Sequence, residues 1–520
     1  MNDIFRLAKP KKQGLLHLVF SRFFIIVGLL VLQILLVISF YAWLDDLLPY
    51  FSIVLTIFTL CGVIYLFNSG MDSSAKVTWM FIIAIIPITG AALLFFTKSN
   101  FGHRQTRRRV EELIDMTSDA IPQPEGILEN LSNDGSGTDD LVRFLNRSGC
   151  FPLFDKTEVT YFPLGEDKFA ALVEEVKKAK HFIFMEYFII KEGYMWGTIL
   201  KLLIEKAKEG VDVRVLYDGM LEVSSLPTNY CKLLEEQGIK AKVFAPIKPF
   251  VSSHYNYRDH RKILVIDGEV AFNGGVNLAD EYINREERFG HWKDTAVMLK
   301  GDAVKSFTLM FLQMWNLTEK NPVFEPWLAD NKIVPEHPSG YVVPYADCPL
   351  DEDKVGETVY MDILNRAVHY VHIMTPYLIL DGELESALKY AAQRGIDVKL
   401  ILPGIPDKKL AYSLAKSHYR RLVQAGVKIY EYTPGFIHAK VFTCDDRKAV
   451  VGTINLDYRS LYHHFECATY MYQTACIRDI EKDFRDTLSK CREVTMESIK
   501  NEKLYYKVMG SLMQFIAPMM

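Results

Sequence analysis

No CxxC pair occurs in this chain of 520 residues, and its eight cysteines are scattered. Only Cys467 and Cys476 lie near each other, so a disulfide framework or a zinc site is excluded in favour of a reduced chain. A basic excess is missing too. Sixty Lys+Arg stand against 64 Asp+Glu, a formal net charge of −4, which speaks against a nucleic-acid partner. With 49% apolar and 24% charged residues, the composition also excludes a disordered or collagen-like chain.

What the chain has in quantity is uncharged apolar sequence, concentrated at its start. Residues 23–43, 47–67 and 77–96 form three runs, each near the ~20 residues that cross ~30 Å of hydrocarbon. Trp43, Tyr50 and Trp79 stand close to their ends. A signal peptide is shorter and ends at a small-residue cleavage site, so the three runs are predicted to be transmembrane helices. Arg6, Lys9, Lys11, Lys12 and Arg22 precede the first run, and Lys98, Arg104, Arg107, Arg108 and Arg109 follow the third. Basic flanks stay on the cytoplasmic side, yet three spans would put the two flanks on opposite sides. The pattern therefore predicts a multi-pass membrane protein with the rest of the chain on the cytoplasmic side, the number of true spans being open.

Residues 1–100 are thus read as the membrane region and 101–145 as a polar linker with some helix. Beyond it the sequence repeats. Residues 180–214 and 369–399 each hold an apolar β-rich run, a helix-period segment, and Gly-Val-Asp-Val-Arg or Gly-Ile-Asp-Val-Lys opening a second strand. That is a βαβ unit twice over, predicting an α/β fold duplicated as 146–335 and 336–520.

The duplication carries a motif. His260, Lys262 and Asp267 form H-x-K-x4-D, as do His438, Lys440 and Asp445. Gly274-Gly275-Val276-Asn277 and Gly452-Thr453-Ile454-Asn455 follow at identical spacing. His and Lys two apart on a strand share a face. Asp267-Gly268 suits a hairpin turn, which in ideal register sets His260 across from Gly275 and His438 across from Thr453. Each half then gathers an imidazole, an ammonium and an amide, a set suited to a phosphate oxyanion. Two imidazoles of pKa near ~6.5 can supply a nucleophile and an acid at neutral pH. The lysines already supply positive charge, so no metal or other cofactor is predicted.

The paired motifs resemble the phospholipase D superfamily. The apolar N-terminus, Asn256-Tyr257-Arg258-Asp259 before the first motif and Gly452-Thr453-Ile454-Asn455-Leu456-Asp457-Tyr458-Arg459-Ser460 at the second resemble bacterial cardiolipin synthase. The resemblance implies two α/β repeats packed as one catalytic unit, with a site built from both motifs. It implies that His260 attacks a phosphodiester to form a phosphohistidine, that His438 is the acid and base, and that Lys262, Lys440, Asn277 and Asn455 hold phosphate oxygens. It places a His-orienting carboxylate at Glu466, 28 residues after His438. The same count in the first half lands on Arg288, and Asp294 resembles an alternative carboxylate there. The implied reaction joins two phosphatidylglycerol molecules into cardiolipin and glycerol at the bilayer. The alternatives are a hydrolytic phosphodiesterase (lipase or nuclease) and a membrane scaffold without catalysis.

Outside the motifs, His463-His464 reads as structural, and Asp218 and Asp397 as turn or capping residues. Glu186 and Tyr187 end a strand and are secondary candidates for the site. Leu504, Val508, Leu512, Phe515 and Ile516 recur at helical spacing, which predicts a helix docked on the core, with a helix at the membrane surface as the alternative. The acceptor lipid and the oligomeric state are not legible.

Overall fold

The computed structural model describes residues 5–7, 35, 48–98, 104–246, 257–329, 333–351 and 353–517. Nine strands come from the first half: β1 Thr157–Phe162, β2 Phe182–Tyr187, β3 Asp212–Asp218, β4 Lys240–Phe244, β5 Arg258–Asp259, β6 Lys262–Ile266, β7 Val270–Gly274, β8 His291–Lys293 and β9 Ala296–Gly301. Nine come from the second: β10 Tyr341–Asp347, β11 Tyr370–Met374, β12 Asp397–Pro403, β13 Lys428–Tyr432, β14 Gly435–Ile437, β15 Val441–Cys444, β16 Lys448–Gly452, β17 His464–Tyr472 and β18 Cys491–Glu493.

The first sheet runs β1-β9-β7-β6-β2-β3-β4 and the second β10-β17-β16-β15-β11-β12-β13-β18. Over the first seven positions the order is the same, as a duplicated α/β unit requires, and β18 is added at the edge of the second sheet. β2, β3 and β4 are parallel, and so are β11, β12 and β13. Helices Tyr194–Lys208 and Gly382–Gln393 make the crossovers. Both sheets are covered on each face, so central strands such as Lys262–Ile266 are buried throughout, which is why they read as continuous apolar runs.

The Asp-Gly turn forms, with both central residues left-handed: φ is 53° at Asp267 and 67° at Gly268, and 54° and 53° at Asp445 and Asp446. The register differs by one from the ideal hairpin. Ile266 pairs with Val270 and Cys444 with Lys448. Glu269 and Arg447 are bulged out after turns closed by Glu269 N–H to Ile266 O and Arg447 N–H to Cys444 O, and a bulged residue adds one to one strand only.

Two short strands cross between the halves. β5 pairs in parallel with the start of β17, and β8 with β14. The stretch 101–145 is not a spacer where it is described. It folds as helices Arg104–Met116, Ile127–Ser132 and Thr138–Gly149. Leu113, Leu131, Val142 and Leu145 enter the core shared with both halves, because their helical spacing gives the polar segment one apolar face.

Among the described residues no helix is long and apolar enough to cross a membrane, so the expectation of three spans is corrected where it can be compared. The run 23–43 lies outside the described residues except Leu35. The second forms helix Leu48–Phe67. The third breaks at Ile86 into Ser73–Ile85 and Pro87–Lys98, helices of 13 and 12 residues, each about 20 Å or less. Pro87 has no N–H to continue the ladder. Leu66, Trp79 and Ile83 pack these helices together, while Ile53, Ile57, Val77, Phe81 and Ile85 stay exposed.

The C-terminal helix Leu504–Ile516 lies on helix Lys409–Gln424. At Gly510 the approach is so close that a Cβ would come within 2.5 Å of Ser413 O. Contrary to the expected core docking, its Leu504, Val508 and Leu512 face outward, with 74%, 48% and 58% exposed. Phe515 instead meets the N-terminal helices: its ring lies 4.9 Å from Phe81, and its carbonyl accepts from Thr78 Oγ1 at 2.8 Å.

Candidate active site

The crossed strands assemble the site. His260 follows β5, and its N–H bonds Phe465 O at 2.9 Å, while His438 follows β14 and bonds Lys293 O at 2.7 Å. Each motif histidine is thereby delivered to the carboxylate of the opposite half. His260 Nδ1 lies 2.9 Å from both oxygens of Glu466. His438 Nδ1 lies 2.7 Å from Asp294 Oδ2. The pairing leaves Nε2 of each ring as the atom available for chemistry.

The register shows that the two carboxylates are equivalent. Ala296 pairs with Gly274, and Ala468 with Gly452, so Asp294 and Glu466 each stand two residues before the same position. The longer first-half connection, with its short helix Asp280–Ile283, defeats the count that pointed to Arg288. That side chain is half exposed and bonds Glu281 at 3.0 Å. The second residue of each G-x-x-N tail fits its own carboxylate. A Cβ on Gly275 would come within 2.1 Å of Asp294 Oδ1. Thr453 Oγ1, at the matching place, donates to Glu466, which also accepts from Ser460 Oγ at 2.7 Å.

Three lysines surround the imidazoles. Lys262 and Lys440 reach back to the carbonyls of His260 and His438, and Lys440 Nζ lies 2.9 Å from His438 Nδ1. Lys168, which the motifs do not reveal, donates to Tyr187 OH at 3.1 Å and Val276 O at 3.3 Å. Nothing local marks it, because it lies on a helix far from either motif. All three are buried. Desolvation brings Lys262 down to about 8 and Lys440 and Lys168 to about 7, against the pull of nearby carboxylates. Crowded, desolvated ammonium groups of this kind await an anion.

Burial also lowers both imidazoles, His438 to about 4 and His260 well below its ordinary value, and each feels the lysine of the other half. The two carboxylates diverge. Burial raises Glu466 well above its usual range, against Lys262 and its hydrogen bonds. Burial acts upward on Asp294 too, but His438 and Lys440 outweigh it and hold it below the usual range.

Other sequence candidates fall elsewhere. Asp267 and Asp445 sit beyond the far ends of β6 and β15. Asp267 accepts from the backbone N–H groups of Lys180, His181 and Phe182, each at 2.7 Å. Asp445 does the same for Val368, His369 and Tyr370 at 2.7 to 2.9 Å. Both tie a turn to a strand entrance, with the five-residue β6 and the four-residue β15 separating that end from the histidines. Asn277 is engaged as well, accepting from Ile189 N–H and donating one amide hydrogen to Tyr282 OH. Asn455 Oδ1 has no partner among the described residues.

Asp218 does more than cap. It accepts from Arg258 and from the Asp259 N–H, clamping β5. Asp397 bonds Lys399 and Lys428. Tyr187 borders the site through Lys168, whereas Glu186 faces Arg261 at 3.9 Å and, with Asp259, belongs to a buried ionic cluster beneath it. His464, read as structural, lies in the site, its ring 5.3 Å from that of His260. His260, His464 and Glu466 could between them hold a metal ion, as could Glu357, Asp381 and Glu383 elsewhere. The cation beside the first set is Lys262.

The family profile described as "Cardiolipin synthase, PLD-like domain" matches residues 172–315 and 360–488. "Cardiolipin synthase 2" of Bacillus anthracis is 34% identical over 88% of both chains. The chain belongs to the cardiolipin synthase family. A Streptococcus mutans protein without an assigned function is 57% identical over 88% of this chain and 99% of its own. The crystal structure of phosphatidylserine synthase from Haemophilus influenzae covers 74% of this chain and 97% of its own at a TM-score of 0.56 and 15% identity, a likeness of fold. As a cardiolipin synthase-family member the protein is a phospholipid phosphatidyltransferase, with the α/β phospholipase D-like fold that its two sheets display.

Proposed function

We propose that this phosphatidyltransferase makes cardiolipin from two phosphatidylglycerol molecules through a phosphohistidine on His260. The crosswise pairs His260–Glu466 and His438–Asp294 carry the reading, because they hold two oriented imidazoles among three desolvated lysines. His260 Nε2 attacks the phosphorus of the first lipid. The bond to glycerol breaks, and the departing oxygen takes a proton from His438. A hydroxyl of the second lipid then loses its proton to His438 and attacks the same phosphorus. Cardiolipin leaves and His260 is regenerated. Covalent catalysis of this kind divides one exchange into two easier displacements.

The difference between the carboxylates supports these roles. Asp294, held low, is ionised and favours an imidazolium at His438, the partner a general acid needs. Glu466, pushed up by burial, shares its proton with a ring that stays neutral and nucleophilic. Lys262, Lys440 and Lys168 regain full charge as the phosphodiester arrives and neutralise its oxygens.

We further propose that the protein works at a bilayer. The outward apolar residues of helices Leu48–Phe67 and Ser73–Ile85, joined through Phe81 and Phe515 to the outward stripe Leu504, Val508 and Leu512, suit embedding in lipid. Purified protein given phosphatidylglycerol alone tests the function. Cardiolipin and glycerol are expected from wild type, and none from His260→Ala or His438→Ala. Phosphatidic acid as the main lipid product would show a hydrolase. Acid-labile phosphate mapped to His438 would reverse the two roles.

A further inference from the structure

We infer that His464 is a third imidazole of the reaction centre, donating a hydrogen bond to an oxygen of the transferring phosphoryl group beside His260. The inference rests on the proposed transfer reaction and adds a substrate contact to it.

Position is the first ground. The equivalence that matches Asp294 with Glu466 also matches Trp292 with His464. Both rings flank a motif histidine at nearly the same distance, 5.5 Å from Trp292 to His438 and 5.3 Å from His464 to His260. The fold thus places one side chain from β8 or β17 against each imidazole. On the His438 side this wall is aromatic, completed by Tyr282 and Phe436. On the His260 side it is Phe188, 4.9 Å away, and the polar ring of His464.

Lack of a partner is the second ground. His464 is 7% exposed, and neither ring nitrogen has a hydrogen-bond partner among the described residues. Nδ1 stands 3.7 Å from Glu466 Oε1, too long for a hydrogen bond. A buried imidazole with both nitrogens unmet costs free energy that a bound ligand can recover.

Charge is the third. Burial, then Arg459, His463, Lys262 and Arg258 keep the ring neutral. A phosphodiester oxygen brought among these cations is the group an imidazole N–H there would meet. An in-line attack by His260 puts the leaving alcohol on the far side of phosphorus, toward His438. His464 is beside the nucleophile, so it faces the phosphoryl oxygens in the transition state and not the departing glycerol.

His464→Asn keeps a donor, and His464→Leu has nearly the same shape without one. Each is assayed with phosphatidylglycerol in mixed micelles, beside wild type and His260→Ala, with melting temperature measured for all. Leucine is expected to lower kcat on the order of a hundredfold with little change in KM, as for loss of an oxyanion donor. The single-turnover rate of phosphohistidine formation falls with it, and asparagine restores at least a tenth of wild-type kcat. Leucine at wild-type kcat, or asparagine and leucine equally slow, overturns the inference. If leucine fails to fold, His464→Phe, which supplies an aromatic ring as Trp292 does at the matching position, replaces it with the same expectations. Wild type without cardiolipin product refutes the transfer reaction itself, whereas active wild type, inactive His260→Ala and unimpaired leucine refute the role of His464 alone.

Discussion

Replacing Asp294 by asparagine removes one negative charge from the His438 pair while keeping size and a hydrogen-bonding group. The charge centres of an imidazolium and this carboxylate, in contact at 2.7 Å, lie about 4 Å apart, worth about 4 kcal/mol at an effective dielectric of about 20. The asparagine oxygen recovers part of this by accepting from Nδ1–H. A net loss of about 3 kcal/mol in the transition state corresponds to roughly a hundredfold in kcat. The pH profile adds a signed test. Asp294 raises the pKa of His438 against the larger downward effects of burial and Lys440. Without that carboxylate the pKa falls further, less of the acid form exists at neutral pH, and the basic limb of kcat, set in the complex where the phosphodiester raises that pKa, moves to lower pH. Cardiolipin formation across pH 5 to 9, with melting temperature as a control, reads both effects. A variant within threefold of wild type, with an unmoved basic limb, refutes the view that the first half's carboxylate serves the second half's histidine.

Gly275→Ala puts a Cβ where Asp294 Oδ1 lies; kcat is expected to fall at least tenfold while KM holds, since displacing the carboxylate disturbs His438 before binding, and steady-state kinetics measure the split. Asp445→Asn weakens three backbone hydrogen bonds and is expected to cost about 3 kcal/mol in chemical denaturation with kcat per folded molecule nearly unchanged; the same bonds hold Asp445 below its usual pKa against the larger upward effect of burial, so its contribution is present above the unfolded pKa and lost as pH falls through the folded one. Val508→Glu with Leu512→Glu charges the outward stripe of the C-terminal helix and is expected to weaken flotation with phosphatidylglycerol vesicles without changing kcat in micelles; equal flotation would remove that helix from the bilayer surface.

The lipid-facing proposals and the phosphate chemistry meet in one arrangement. Helix Leu504–Ile516 contacts the N-terminal helices through Phe515, and the same helix joins Tyr458 and Tyr462 of the segment after the second motif through Ala517 and Met513. The proposed lipid-facing surface thus borders the segment 458–462, whose Ser460 donates to Glu466.

Spacing along the chain was enough to recover the α/β duplication, the motif pairs and the Asp-Gly turn at 267–268. Alternation, helical period and a turn dipeptide act over a few residues, and each survives being read in one dimension. The two motif histidines and their lysines were legible for the same reason, since two residues apart on a strand is one face. What the tertiary structure decided depends on contacts between distant segments. The bulges at Glu269 and Arg447 moved the hairpin register by one. The crossing of β5 onto β17 and β8 onto β14 gave each histidine the carboxylate of the other half. It also brought His464 to His260, although they are about 200 residues apart. Asp267 and Asp445, inside the motif by spacing, belong to the opposite strand ends by geometry. Likewise the third apolar run has the composition of a span, but Pro87 divides its helix. Local periodicity identifies the parts, and only the packing of two similar halves determines which part serves which.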